Sequence, residues 1–102
     1  MGQFANVAKV GDIGDGDLAS FDVAGSQVAV ANVGGTFYGF GDVCTHMACS
    51  LAAGELEGTT VTCSCHGSQF DVTTGAVRRP PADEPVPSYP VRVQGEDIQV
   101  QV

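Results

Sequence analysis

The run QVAVANVGGTFYGF, residues 27–40, sets two β-rich segments on either side of a glycine pair. Gln27 to Val33 and Thr36 to Phe40 are rich in β-branched, aromatic and small residues, and Gly34-Gly35 tolerates the positive φ that a two-residue hairpin needs. The stretch predicts an antiparallel hairpin. Towards the C-terminus, Val91 and Val93 alternate with Arg92 and Gln94, Gly95-Glu96-Asp97 marks a turn, and Ile98, Val100 and Val102 alternate with Gln99 and Gln101. Such period-two patterning buries one face of each strand. Phe4 to Val10 and Leu18 to Val23 are further strand candidates. No segment carries an amphipathic helical pattern of normal length, so the expected class is all-β, a sandwich or small barrel.

Composition narrows the function. At 102 residues the chain is expected to form one domain, large enough to bury roughly two-thirds of its unfolded surface without a disulfide framework. Twelve acidic residues oppose four basic ones, a formal charge of −8, which argues against nucleic acid, because phosphate binding needs clustered positive charge. No apolar run reaches the length of a membrane span. The start, MGQFANVAKVGDIGDGD, lacks the basic and apolar regions of a signal peptide, and the chain reads as soluble and cytoplasmic. Asp12, Asp15 and Asp17 superficially resemble a calcium loop, but the spacing is wrong and the closing Glu is missing; turn acids are the better reading.

Two regions break the strand pattern. Residues 78–90, RRPPADEPVPSYP, hold all five prolines and are expected to form a stiff, extended loop. Residues 43–70 hold every Cys and His of the chain. The arrangement is Cys44-Thr45-His46, sixteen further residues, then Cys63-Ser64-Cys65-His66, with Cys49 between. Six thiols and imidazoles within 23 positions are poorly explained as buried small hydrophobes and ordinary polar residues. Clustered spacing of this kind points to metal. Two thiolates and two imidazoles are offered from separate loops, a set that a mononuclear zinc module would also use.

Cys-x-His, about sixteen residues, then Cys-x-x-His resembles the pattern of the Rieske iron–sulfur family, matched here by Cys44, His46, Cys63 and His66. GDVCTHMACSLAAGELEG, CSCHGSQFDVTTGAV and RRPPADEPVPSYPV are similar to Rieske segments as well. The resemblance implies one 2Fe-2S cluster, with Cys44 and Cys63 on one iron and His46 and His66 on the other. It implies an antiparallel β-sandwich base, about residues 1–42 and 71–102, and a small cluster-binding loop subdomain, about 43–70. A Pro-rich loop, to which Pro80 and Pro81 belong, would cover the cluster. Two imidazoles in place of thiolates remove two negative charges, and Rieske centres span about −150 to +300 mV against about −400 mV for plant-type ferredoxins.

The same resemblance assigns Cys49 and Cys65 to a disulfide between the cluster loops, as in respiratory members of the family. Free thiols in a reducing cytoplasm and shared zinc ligation stand as alternatives. Ser68 would donate a hydrogen bond to a bridging sulfide and raise the potential, whereas Phe70 replaces a Tyr whose hydroxyl serves respiratory proteins. With both histidines on iron, no His base is left for catalysis. The implied function is a soluble one-electron carrier between a flavin-dependent NAD(P)H reductase and a terminal oxygenase. Alternatives are a small subunit of a nitrite reductase or arsenite oxidase, or a soluble respiratory-type Rieske head.

Overall fold

The computed structural model describes residues 4–44, 49–65, 67–80 and 82–102. His46, His66 and Pro81 lie outside the described residues. The described residues build three antiparallel sheets. The first orders β1 (Phe4–Lys9), β11 (Asp97–Gln101) and β10 (Val91–Gln94) side by side as β1-β11-β10. The second is β2-β3-β4-β9, formed by β2 (Leu18–Val23), β3 (Ser26–Val33), β4 (Thr36–Gly41) and β9 (Ser88–Tyr89). The third is a meander of four three-residue strands, β5 (Glu55–Glu57), β6 (Thr60–Thr62), β7 (Gln69–Asp71) and β8 (Val77–Arg79).

The hairpin read from residues 27–40 is present. Val33 pairs with Thr36, and Gly34 and Gly35 turn the chain at φ 62° and 93°. β3 is the hub of the molecule. Its side chains alternate between two cores, and Val28 to Ala31 are all fully buried. Val28 and Val30 pack with Ile13, Val23, Ile98 and Val100 against the first sheet. Ala29 and Ala31 join Phe40, Leu51, Val61, Phe70 and Val72 on the side of the third sheet. A strand covered on both faces has no polar side to show, as in QVAVANV.

The C-terminal pair departs from its expected pattern at two points. Ile98 and Val100 are buried as their alternation predicts, but Val93 is 48% exposed. β10 pairs within its sheet with β11 alone, and an edge strand can run past the surface that covers its neighbour. Gln94 pairs directly with Asp97, so the turn is Gly95-Glu96 and Asp97 already belongs to the strand. The proline segment is likewise not one uninterrupted loop: Arg78 and Arg79 close β8, while Ser88 and Tyr89 add an edge to β4. Between them the chain crosses from the third sheet to the second.

Candidate metal centre

Two loops with similar necks carry the free thiols. In the first, Val43 and Ser50 form an antiparallel bridge, and the Cys44 N–H donates to the Cys49 carbonyl at 2.9 Å. In the second, Thr62 pairs with Gln69, and the Cys63 N–H donates to the Ser68 carbonyl at 2.8 Å. Each neck is closed by a bond from residue i to residue i+5, and each loop begins with a cysteine. Cys44 and Cys63 are both free, 3% and 2% exposed, and share one core cluster. Burial keeps water and adventitious oxidants from both sulfurs.

A carboxylate anchors the first neck. Asp42 is fully buried at the end of β4. It accepts hydrogen bonds from the Ser50 hydroxyl at 2.8 and 2.9 Å, the Ala52 N–H at 2.8 Å and the Gln27 side-chain amide at 2.9 Å. Its own carbonyl accepts from the Leu51 N–H at 2.6 Å. Three donors converging on one buried carboxylate replace the hydration it has lost. They also fix where the chain leaves β4 and where it returns after Cys49.

Cys49 and Cys65 form a disulfide between the loops, with Cα atoms 6.5 Å apart. Cys49 is half-buried and Cys65 is exposed. Cys63 lies against this bond, and the sulfurs of Cys49, Cys63 and Cys65 all fall within 4.8 Å of one another. CSCH therefore separates by function in space: Cys63 points into the core, and Cys65 turns outward to the other loop.

The Pro-rich segment is tied down at three places. The Ala82 N–H donates to the buried Ser68 hydroxyl oxygen at 3.1 Å. The Val86 N–H donates to the Gly75 carbonyl at 3.0 Å, and the Gly41 N–H to the Pro87 carbonyl at 2.8 Å. Two of these contacts require glycine. At Gly75, with φ +82°, a Cβ would stand 2.0 Å from the Val86 carbonyl oxygen. At Gly41 it would meet the Pro87 ring at 2.8 Å. The β7–β8 turn beneath is braced by Asp71, which accepts from the Thr73 N–H and hydroxyl and from the Arg78 guanidinium at 2.6 Å. Burial pushes the Asp71 carboxyl up, but Thr73 and Arg78 together outweigh it and hold it below the usual Asp range.

Of the residues expected from sequence, the structure brings Cys44, Cys63 and Ser68 into one buried region and joins Cys49 to Cys65. The sequence alone gives no sign of the parts played by Asp42, Gly75 and Ala82. GD before VCTH reads as a turn, and only the tertiary fold shows the carboxylate to be internal.

Two buried free thiols, each opening one of two loops with similar necks, are suited to serve as thiolate ligands. The profile of the Rieske [2Fe-2S] domain matches residues 3–90, and the chain belongs to that family. The biphenyl dioxygenase ferredoxin subunit of Pseudomonas sp. (strain KKS102) is 38% identical over 98 residues, 95% of this chain and 90% of that protein. Among solved structures, the ferredoxin of carbazole 1,9a-dioxygenase from Nocardioides aromaticivorans IC177 superposes with a TM-score of 0.93 at 32% identity, covering 96% of each chain. A chain from the complex of reduced oxygenase and oxidized ferredoxin in carbazole 1,9a-dioxygenase gives 0.92 at 31% identity, covering 96% of this chain and 92% of that one. The cofactor is accordingly one Rieske-type 2Fe-2S cluster, and the chain is an electron carrier. The buried pair of free thiols fits such a group, which takes up and releases one electron when bound. No helix of the described residues is long and apolar enough to cross a membrane.

Proposed function

We propose that this chain carries single electrons from a flavin-dependent NAD(P)H reductase to a terminal aromatic-ring oxygenase, in the cytoplasm where NAD(P)H is available. Cys44 and Cys63 hold one iron of its cluster, His46 and His66 the other, and Ser68 tunes the potential. The observation that carries the reading is the twin-neck geometry: each loop opens with a buried free thiol. It stands in a chain alike over 95% of its length to a dioxygenase ferredoxin subunit. The chain's own part is to grip, shield and present. The necks set the thiols, the Cys49–Cys65 bond holds one loop to the other, and the proline segment closes over Ser68. A hydroxyl that accepts from the Ala82 N–H still keeps its proton for an acceptor of its own.

The test starts with the purified protein, expected to be red-brown and, once reduced, to give a rhombic EPR signal of low average g. His46→Cys and His66→Cys should each abolish that spectrum; unchanged spectra in both would reassign the ligands. Stopped-flow mixing of the reduced protein with an oxidised ring-hydroxylating oxygenase should then show rapid reoxidation. A Rieske spectrum without such transfer would move the protein to another redox partner.

A further inference from the structure

We propose that the cluster-free chain rearranges its own disulfide, moving the bond from Cys49–Cys65 to Cys49–Cys63, and that ligation of Cys63 by iron is what prevents this. The inference rests on Cys63 being a cluster ligand, and goes beyond it to the fate of that ligand when the cluster is missing. The observation is the triangle of sulfurs: Cys63 is a free thiol whose sulfur lies within 4.8 Å of both sulfurs of an existing disulfide. Thiol–disulfide exchange needs a thiolate able to reach one sulfur along the bond, with a leaving group that tolerates charge on the other. Here the nucleophile is built into the site, so no collision with an external thiol is needed.

The direction of attack follows from exposure. Attack on Cys49 expels Cys65, which is exposed and whose sulfur would be solvated by water as a thiolate. Attack on Cys65 would instead expel half-buried Cys49, where an anion is less well solvated. It would also join two residues separated by Ser64 alone and leave the loops unconnected. The first route is favoured on both counts. In it the Cys63 thiolate forms a bond to the Cys49 sulfur, the Cys49–Cys65 bond breaks, and its electron pair leaves on Cys65, which takes a proton from water. One disulfide and two thiols are present before and after, so the step needs no oxidant or reductant. Its product has spent a ligand and exposed a thiol. Iron bound at Cys63 would draw charge off that sulfur and hold it in place, lowering its nucleophilicity, so the loaded protein would be protected.

The experiment begins with the loaded protein, whose iron content and Rieske spectrum are recorded first; their absence would overturn the cluster reading and with it the protection by iron, while the exchange itself would still be read by the mapping below. The cluster is removed anaerobically with an iron chelator and no added thiol. Samples are quenched in acid over time, labelled with N-ethylmaleimide, cleaved after Glu55 and Glu57, and mapped by tandem mass spectrometry. Loaded protein quenched at once should carry label on Cys44 and Cys63. In the cluster-free protein the label should migrate from Cys63 to Cys65 in at least half of the chains as the Cys49–Cys63 linkage appears. Label that stays on Cys63 throughout, or any other pairing, overturns the proposal. Cys63→Ser protein, incubated alike, should keep Cys65 unlabelled; label there would show an external route and likewise overturn it.

Discussion

The Ala82 N–H is bonded to the Ser68 hydroxyl oxygen across 3.1 Å, with Ser68 wholly buried and Ala82 2% exposed. One hydroxyl thus fastens the proline segment to the second loop. Ser68→Ala should leave the Ala82 amide without its partner, costing about 1–3 kcal/mol of stability. It should also lower the potential. If a charge-assisted bond of about 1.5–3 kcal/mol acted wholly on the reduced state, the fall would be about 60–130 mV, an upper bound. Voltammetry with thermal unfolding separates the two effects: lower stability at an unchanged potential would make Ser68 a tie alone.

Gly75→Ala should be more damaging than its size suggests. The residue sits at φ +82° and its Cβ would lie 2.0 Å from the Val86 carbonyl oxygen. The left-handed backbone alone costs about 1–2 kcal/mol, and the clash must displace the proline segment. Faster bleaching of the visible spectrum by a chelator is expected beside a lower Tm. A normal bleaching rate would show that the segment does not shield the centre.

Asp42→Ala strips three donors, from Gln27, Ser50 and Ala52, of a buried acceptor. Gln27 is exposed and Ser50 and Ala52 are half-buried, so water can re-pair part of what is lost; a cost of about 1–3 kcal/mol is expected, together with less iron per chain. Full iron loading in a folded Asp42→Ala protein would mean that the first loop holds its shape unaided.

The β2–β3 hairpin invites a gain. Val23 pairs with Ser26, and Ala24 turns the chain at φ 51°, the one non-glycine with positive φ among the described residues. Asn accepts this region far better. Ala24→Asn should therefore stabilise the fold by about 0.5–1 kcal/mol, or a few degrees in Tm, with the potential unchanged. Equal or lower Tm would refute the strain.

Asp71 sets an acid dependence. Because its folded pKa is depressed, its contribution is fully present above the ordinary Asp value of about 4 and is lost as pH falls through the lower, folded value. Denaturant unfolding of wild type and Asp71→Asn should differ most near neutrality and converge below about pH 4. A constant gap across that range would show that the carboxyl does not titrate with folding.

The hairpin at Gly34-Gly35 was legible because two glycines announce a turn to which strand-forming residues lead. The metal centre was legible because thiols and imidazoles crowd one stretch, and the Cys49–Cys65 pairing came through family resemblance. The third sheet was not legible. Strands of three residues such as Thr60–Thr62 span too little chain to display a period. Ala24 hid a hairpin because alanine is a poor turn residue, and Asp42 hid because its burial depends on β3 and on the returning loop together. Val93 shows the converse: the alternation is present in the sequence, yet only Val91 of β10 is half-buried and Val93 is exposed.

The two necks also bear on timing. Cys44 to Cys49 and Cys63 to Ser68 are closed by backbone bonds between protein groups alone. Neither of these bonds includes iron, so closing a neck and loading the site are distinct events. A closed neck is therefore no sign that a chain is loaded, and iron content has to be measured in its own right.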